Sequence, residues 1–268
     1  DKTRFLETCS SGPVRAIEIK LSQGAKPGLG GLLPAAKISP EIAEIRGIPL
    51  GEDCHSPSSH TAFSNVDEML DFIEELAGES GLPVGIKSAV GEISFWRDLA
   101  HLMATTDRGV DFIAVDGGEG GTGAAPLVFS DHVAMPFKIG MSRVYREFAE
   151  RGLHQDVVFI GSGKLGFPDS AMLGFSLGCD MVNVGREAMP AVGCIQAQPC
   201  HTGHCPTGVS TQSQSLMRGL SPTAQAHRLA NSTVDPRQET PQPDSTACVM
   251  PPAPPAPRAL TAPIYPPW

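Results

Sequence analysis

Five short runs of β-branched and other apolar residues recur along the chain, most of them followed by a stretch with helical periodicity. This alternation is typical of a parallel sheet built from βα units, because parallel strands need a crossover between them. The predicted strands are residues 14–19, 84–88, 111–116, 157–161 and 180–184. Asn65 and Glu68 predict the start of the clearest helix, whose apolar stripe belongs to the core and not to a cofactor site. Further helices are predicted at residues 93–103, 141–151 and 169–177.

Glycines fall at the carboxyl ends of three of these strands, at Gly117, Gly161 and Gly185. In parallel sheets and barrels ligands bind at this edge, and the loops after the last barrel strands often hold phosphate. The loops at 161–166 and 185–186 therefore predict a phosphate-bearing cofactor. None of the glycine loops has the spacing of a nucleotide-triphosphatase or dinucleotide motif. Each loop alone is also compatible with a simple tight turn.

Two lysines occupy positions where a charge needs compensation. Lys87 interrupts the apolar strand at 84–88, and Lys20 follows an apolar alternation. An ammonium group there is costly unless it meets an anion or the mouth of a pocket, so both are candidate ligand contacts. The alternative is that the stem lies along the strand while the charged end reaches water. The glycine-rich segment at 23–34 predicts a functional loop or a long linker, and the irregular stretch that continues through His60 predicts an active-site loop.

Three of the seven cysteines lie in one short loop, at Cys194, Cys200 and Cys205. A reducing compartment disfavours disulfides, and soft thiolates select zinc or iron–sulfur centres. Structural zinc sites usually have closely paired ligands and four of them, so this wider spacing favours an iron–sulfur cluster. His201 or His204 could still complete a zinc site. Three reduced structural thiols are the third interpretation.

The composition limits the class of protein further. The 268 residues are 41% hydrophobic, enough for one sizeable core, and a net charge of −9 argues against a nucleic-acid partner. No targeting signal and no membrane-length apolar run is visible, so a cytoplasmic location is expected. Residues 231–268 contain 11 of the 25 prolines and predict a disordered tail, or else a ligand for a proline-recognition domain.

Three motifs together resemble a known family. They are IEIKLSQGAKPGLGG at 17–31, GGEGGTGAAP at 117–126 and CIQAQPCHTGHCPTGVSTQ at 194–212. They resemble the FMN-binding synthase domain of glutamate synthase, most closely its single-domain, glutamate-synthase-related bacterial branch. The resemblance implies a (β/α)8 TIM-type barrel that carries FMN and a [3Fe-4S] cluster. Such a domain reduces 2-iminoglutarate, formed from 2-oxoglutarate and ammonia, to L-glutamate, with electrons from ferredoxin or an NAD(P)H-linked subunit.

The resemblance also implies roles for individual residues. Cys194, Cys200 and Cys205 match the cluster ligands. Lys20, Gln23 and Lys26 match a motif beside the substrate, where cations suit a dicarboxylate. The residues that match the FMN site are Lys87, which would approach the flavin ring, and Gly117, Gly118, Gly120, Gly121, Ser162, Gly163, Lys164, Gly185 and Arg186.

The sequence departs from the family pattern in two respects. Leu29 stands where large multidomain members have an acidic residue, and no glutaminase domain is visible, so ammonia would come from solution or a separate glutaminase chain. A barrel needs eight strands, so residues 1–230, with the cysteine loop at 193–212, predict an incomplete barrel of about five βα units. The missing first strands would precede Asp1, and open edges would make the chain alone unstable or prone to aggregate.

Two other functions remain open at this point. One is a related FMN barrel that makes an N-substituted glutamate or oxidises a hydroxy acid, because phosphate loops do not specify the substrate. The other is a non-catalytic barrel fragment or an electron-transfer subunit that completes its barrel with another polypeptide.

Overall fold

Parallel pairing joins the five main strands into one sheet. The computed structural model describes residues 2–121, 123 and 125–233, so most of the predicted tail at 231–268 lies outside the described residues. In chain order the strands are β1 Ile17–Lys20, β2 Leu32–Leu33, β3 Cys54–His55, β4 Val84–Ala89, β5 Phe112–Asp116, β6 Val158–Ser162 and β7 Met181–Asn183. The parallel sheet has the order β1-β4-β5-β6-β7, while β2 and β3 form a separate antiparallel pair. All five predicted strands are confirmed.

Helices separate the strands of the parallel sheet. They are α1 Lys2–Ser11, α2 Pro40–Arg46, α3 Val66–Ser80, α4 Ser94–Thr105, α5 Phe137–Ala149, α6 Pro168–Ser176, α7 Ala188–Ala191, α8 Gln214–Met217 and α9 Pro222–Thr233. Because α3, α4, α5 and α6 each precede the next sheet strand, the chain has the predicted βα repeat. The fold is α/β with a five-stranded parallel sheet, which is consistent with part of a barrel. No helix within the described ranges is long and apolar enough to cross a bilayer.

The start of α3 is as predicted, with one difference. The Asn65 side chain accepts a hydrogen bond from the Glu68 N–H at 2.9 Å. The Glu68 carboxylate reaches one residue further back than a standard capping box, to the Ser64 N–H at 2.7 Å and its hydroxyl at 2.8 Å. These two bonds from Ser64 lower the pKa of Glu68. The apolar stripe that follows is buried, as expected of core.

The stretch between residues 35 and 60 is more regular than the sequence analysis predicted. It contains α2 and β3, the second strand of the antiparallel pair. Ser39 caps α2 by accepting from the Ile42 N–H, Pro40 occupies its first turn, and Gly47 ends it with φ 64°. All three signals stand in the sequence, so the prediction of an irregular segment was wrong for a local reason.

The two faces of the parallel sheet have different surroundings. Phe159 is fully buried in the core, where its ring contacts those of Tyr145 and Phe148 on α5. The neighbouring Val158 points to the opposite face, where it is 41% exposed, and Met181 on the adjacent strand is 48% exposed. One face is therefore packed by helices, and the other is accessible at its amino-terminal end.

This difference predicts unequal effects of substitutions at adjacent positions. Phe159→Ala is expected to lower the free energy of unfolding by about 3–5 kcal/mol, because it opens a cavity in the core. Val158→Thr is expected to change it by no more than about 0.5 kcal/mol. Urea unfolding followed by circular dichroism measures both. An equal cost for the two variants would contradict the assignment of the faces.

Candidate functional site

The three predicted substrate residues lie together at the carboxyl end of β1. Lys20, Gln23 and Lys26 line a cavity of about 390 Å³, called here the lysine pocket, which the 56–61 segment closes on one side. The Lys20 ammonium donates to Gln23 Oε1 at 3.2 Å. His60 Nε2 lies 3.0 Å from the Lys20 carbonyl oxygen, and sequence reasoning did not single it out. The pocket thus joins two segments that are distant in sequence.

Positive charge accumulates at the edge of the sheet beside this pocket. The parallel register places Lys20 opposite Lys87 on the adjacent strand. Desolvation, followed by the charges of Lys26 and Lys87, lowers the pKa of Lys20 below its ordinary value, although Asp116 and Glu18 oppose the shift. Among the described residues none of the three lysines forms an ion pair within 4.0 Å. Such a cluster suits a ligand with more than one negative charge.

A second cavity lies at the carboxyl ends of β4 to β7. This glycine cavity has a volume of about 400 Å³. Its lining includes eight of the ten predicted cofactor residues, namely Lys87, Gly120, Gly121, Ser162, Gly163, Lys164, Gly185 and Arg186. The other two predicted residues, Gly117 and Gly118, lie outside the lining. A Cβ on Gly117 would come within 2.5 Å of Phe137 Cβ, and one on Gly118 within 2.7 Å of the Ala134 carbonyl oxygen, so neither position has room for a side chain, and their contact with a cofactor stays a prediction.

The glycine cavity has the chemistry expected of a site for an anionic cofactor. Lys87, Lys164 and Arg186 supply positive charge, and Glu18, Glu119 and Glu187 line the same cavity. Gly163, another lining residue, has φ 150°, a conformation that glycine adopts readily. The buried Oε1 of Glu187, another lining residue, has no hydrogen-bond partner in the described part of the chain. It could accept from a hydroxyl of a bound ligand. These residues fit a phosphate-bearing cofactor that also carries hydroxyl groups.

Two acidic residues that sequence reasoning missed organise the loops around the cavity. Asp116 ends β5 and is 1% exposed, and it accepts hydrogen bonds from the Ser162 hydroxyl and the Gly24 N–H. Glu119 accepts from the Phe137 N–H at 2.7 Å and so fixes the glycine loop to the start of α5. Their role could not be read from the sequence because every partner is distant along the chain.

The three loop cysteines occupy two different environments. Cys194 and Cys200 line a small cavity of about 90 Å³ together with Arg186, whereas Cys205 is buried outside that lining. Burial raises the pKa of Cys205, but hydrogen bonds from the Thr207 hydroxyl and from backbone N–H groups outweigh it and lower the pKa to about 7. A thiolate is the form that binds metal.

The thiols are chemically suitable for a metal but are not arranged as a finished centre. All six cysteines within the described ranges are free. Across those same ranges no three His, Cys, Asp or Glu side chains surround a common point.

Lys37 ties the early part of the chain to the cysteine loop. Its ammonium donates to the Cys200 carbonyl oxygen at 2.6 Å and lies 3.4 Å from Ser210 Oγ. The Ser210 hydroxyl donates to the same carbonyl at 3.3 Å. The two partners are separated from Lys37 by more than 160 residues, so no local signal could have identified the contact.

Comparison with known proteins gives a consistent result across most of the chain. The family model described as a conserved region in glutamate synthase matches residues 12–242. The glutamate synthase large subunit-like protein YerD of Bacillus subtilis is 40% identical over 225 residues, which cover 84% of this chain and 43% of that protein. The archaeal glutamate synthase [NADPH] of Methanocaldococcus jannaschii is 38% identical over 81% of this chain and 42% of its own length.

A more distant relative is the ferredoxin-dependent glutamate synthase of Antithamnion sp., 32% identical over 75% of this chain and 13% of that protein. The chain spans less than half the length of the Bacillus and Methanocaldococcus proteins. The match of the family model and the identity over most of the chain agree with the motifs that line the two cavities. The chain therefore belongs to the glutamate synthase family.

Proposed function

We propose that this chain contributes the synthase site of a glutamate synthase-type oxidoreductase that reduces 2-iminoglutarate, from 2-oxoglutarate and ammonia, to L-glutamate. The observation that carries the proposal is the adjacent register of Lys20 and Lys87. This register places the lysine pocket, whose cations suit a dicarboxylate, next to the glycine cavity, which suits a phosphate-bearing cofactor. The family membership supports the same reaction class.

In this proposal FMN occupies the glycine cavity. Ser162, Gly163, Lys164, Gly185 and Arg186 would hold its phosphate end, and Gly120 and Gly121 would face the flavin. A bound FMN supplies the hydride in this chemistry. Lys87 would place a positive charge at the wall of the glycine cavity, where negative charge develops on the flavin when it is reduced.

The lysine pocket would bind and orient the substrate. Lys20 and Lys26 pair with the carboxylates of 2-oxoglutarate, and Gln23 holds the Lys20 ammonium in place. Addition of hydride to the imine carbon requires a proton at the nitrogen. Because its pKa is lowered, the Lys20 ammonium is a stronger acid than an ordinary lysine and suits this transfer.

We further assign Cys194, Cys200 and Cys205 as ligands of a [3Fe-4S] cluster that receives electrons from ferredoxin or an NAD(P)H-linked partner. Free thiols in one loop support this assignment, as do the names of relatives that use NADPH or ferredoxin. The ammonia would come from solution or from a separate glutaminase. We propose that residues 1–230, with their five parallel strands, form part of a (β/α)8 barrel. Further strands would complete this barrel.

One observation favours a second candidate. Leu29 lines the lysine pocket and is 43% exposed, at the position where large members of the family carry an acidic residue. An apolar side chain there can contact an alkyl group on the amine. The second candidate is therefore a synthase that makes an N-substituted glutamate from a primary amine.

Turnover with two amines separates these candidates. The full-length protein that contains this chain, purified without oxygen and assayed with 2-oxoglutarate and a chemical reductant, is expected to use ammonia with a higher kcat/KM than methylamine. Chromatography of the amino-acid product is the measurement. A preference for methylamine would support the second candidate, and absence of both flavin and iron would reject the two.

The lysine pocket predicts a pH dependence of substrate binding. Lys20 is charged only below its folded pKa, which lies below the ordinary value of 10.5. The affinity for 2-oxoglutarate is therefore expected to be full at lower pH and to fall as pH rises through that lowered pKa. Calorimetry across pH measures it. Lys20→Gln should bind roughly ten- to a hundredfold more weakly and lose this alkaline limb; retention of the limb would refute the assignment.

The contact between Lys37 and the cysteine loop predicts a local change in dynamics. Lys37→Met removes the donor to the Cys200 carbonyl and is expected to speed amide hydrogen exchange in residues 199–211 by roughly two- to tenfold. Mass spectrometry of peptic fragments measures this. The control is Lys2→Met, because Lys2 pairs only with Glu75 and Glu79 on α3 among the contacts described. Equal exchange in both variants would contradict the role of Lys37.

A further inference from the structure

Asp116 lies between the two cavities and lines neither of them. Its Oδ1 accepts from the hydroxyl of Ser162, which lines the glycine cavity, at 2.6 Å. Its Oδ2 accepts from the N–H of Gly24 at 2.8 Å. Gly24 follows Gln23, which lines the lysine pocket. The two cavities have no lining residue in common, so this carboxylate is a direct link between their walls.

The backbones around this carboxylate approach each other without room for side chains. A Cβ on Gly24 would lie 1.8 Å from the Gly117 carbonyl oxygen, and one on Gly120 would lie 2.2 Å from Asp116 Oδ1. A Cβ on Gly121 would lie 2.1 Å from the Cβ of Ala25. The substrate motif and the glycine loop are therefore in direct contact on both sides of the carboxylate.

The buried carboxylate is compensated by hydrogen bonds and not by an ion pair. Among the described residues Asp116 takes part in no ion pair within 4.0 Å. Burial of a polar group is costly unless it is hydrogen-bonded, and each oxygen of Asp116 has one donor, Ser162 or Gly24. The same two bonds fix Gly24 and Ser162 relative to one another, across 138 residues of sequence.

We propose that Asp116 is a positioning residue that sets the distance between the substrate motif of the lysine pocket and the cofactor wall of the glycine cavity. The proposal rests on the proposed function, because spacing matters only if a group passes between the two cavities. Hydride transfer needs reacting atoms about 3–3.5 Å apart, and a displacement near 1 Å can cost about a hundredfold in rate. Asp116 thus acts through Gly24 and Ser162 and touches neither ligand.

Two substitutions of Asp116 separate the effect of its hydrogen bonds from the effect of its negative charge. Asp116→Ala removes both acceptors and frees the Gly24 N–H. Asp116→Asn keeps the geometry, because its oxygen can accept from Gly24 while its amide group donates to the Ser162 hydroxyl, which can also accept. We therefore expect Asp116→Ala to lower kcat per bound flavin by about ten- to a hundredfold and to raise the KM for 2-oxoglutarate. Asp116→Asn is expected to keep the kcat per bound flavin and the KM of the protein without substitution.

The experiment uses the full-length protein that contains this chain, and includes hydrogen exchange at the Gly24 amide. Exchange should be faster in Asp116→Ala and unchanged in Asp116→Asn. Glu147→Gln is the matched control, since Glu147 is also buried but pairs with Arg151 and Arg97 and lines neither cavity. It should lower the melting temperature without changing kcat per bound flavin.

The outcomes distinguish this proposal from the proposed function. Unchanged kcat, KM and Gly24 exchange in folded Asp116→Ala would overturn the positioning role, as would failure of Asp116→Asn to restore them. If the protein without any substitution makes no glutamate, the proposed function is wrong. In that case faster Gly24 exchange in Asp116→Ala, absent in Asp116→Asn, would still support the contact, and equal exchange would reject it.

Discussion

Parallel strand pairing is the interaction on which the rest of this structure depends. It brings residues from four separate parts of the sequence to one edge of the sheet, where Lys20 meets Lys87 and Asp116 meets Ser162. No local segment contains a complete site. The βα connections therefore contribute to function chiefly by fixing the register, because a slip of one residue would exchange the inner and outer faces.

The close approach of backbones at that edge follows from the glycines. Gly24 and Gly121 each occupy a place where a Cβ would overlap the opposing loop. Ordering a glycine on folding costs more conformational entropy than ordering any other residue. In these loops the close backbone contacts offset that cost, and no other residue would permit them. The glycine cavity is therefore lined by glycines together with Lys87, Lys164 and Arg186, whose positive charges suit an anionic ligand.

The sequence predicted best what depends on local pattern. The five strands and the capped start of α3 follow from periodicity and from Asn65, and the glycines that line the second cavity follow from motif resemblance. Other features of the structure were not predicted. One is the helix α2, although its cap signals are readable in the sequence. The contacts of Asp116 and Lys37 join segments separated by 46 residues or more, and no periodicity in one sequence encodes such pairings. The arrangement of the three thiols was also beyond what spacing alone could determine.

The contact between Gly24 and Gly117 has a consequence for how the lysine pocket can change. Gly24, which follows the lining residue Gln23, cannot carry a side chain, because a Cβ there would lie 1.8 Å from the Gly117 carbonyl oxygen. Leu29, Ser58 and Ser59 line the pocket with exposed side chains, whereas Gly30 among them is restricted like Gly24, because its Cβ would lie 1.9 Å from the Ser56 carbonyl oxygen. Redesign of substrate preference should therefore begin from the side chains of Leu29, Ser58 and Ser59 and leave Gly24 and Gly30 unchanged.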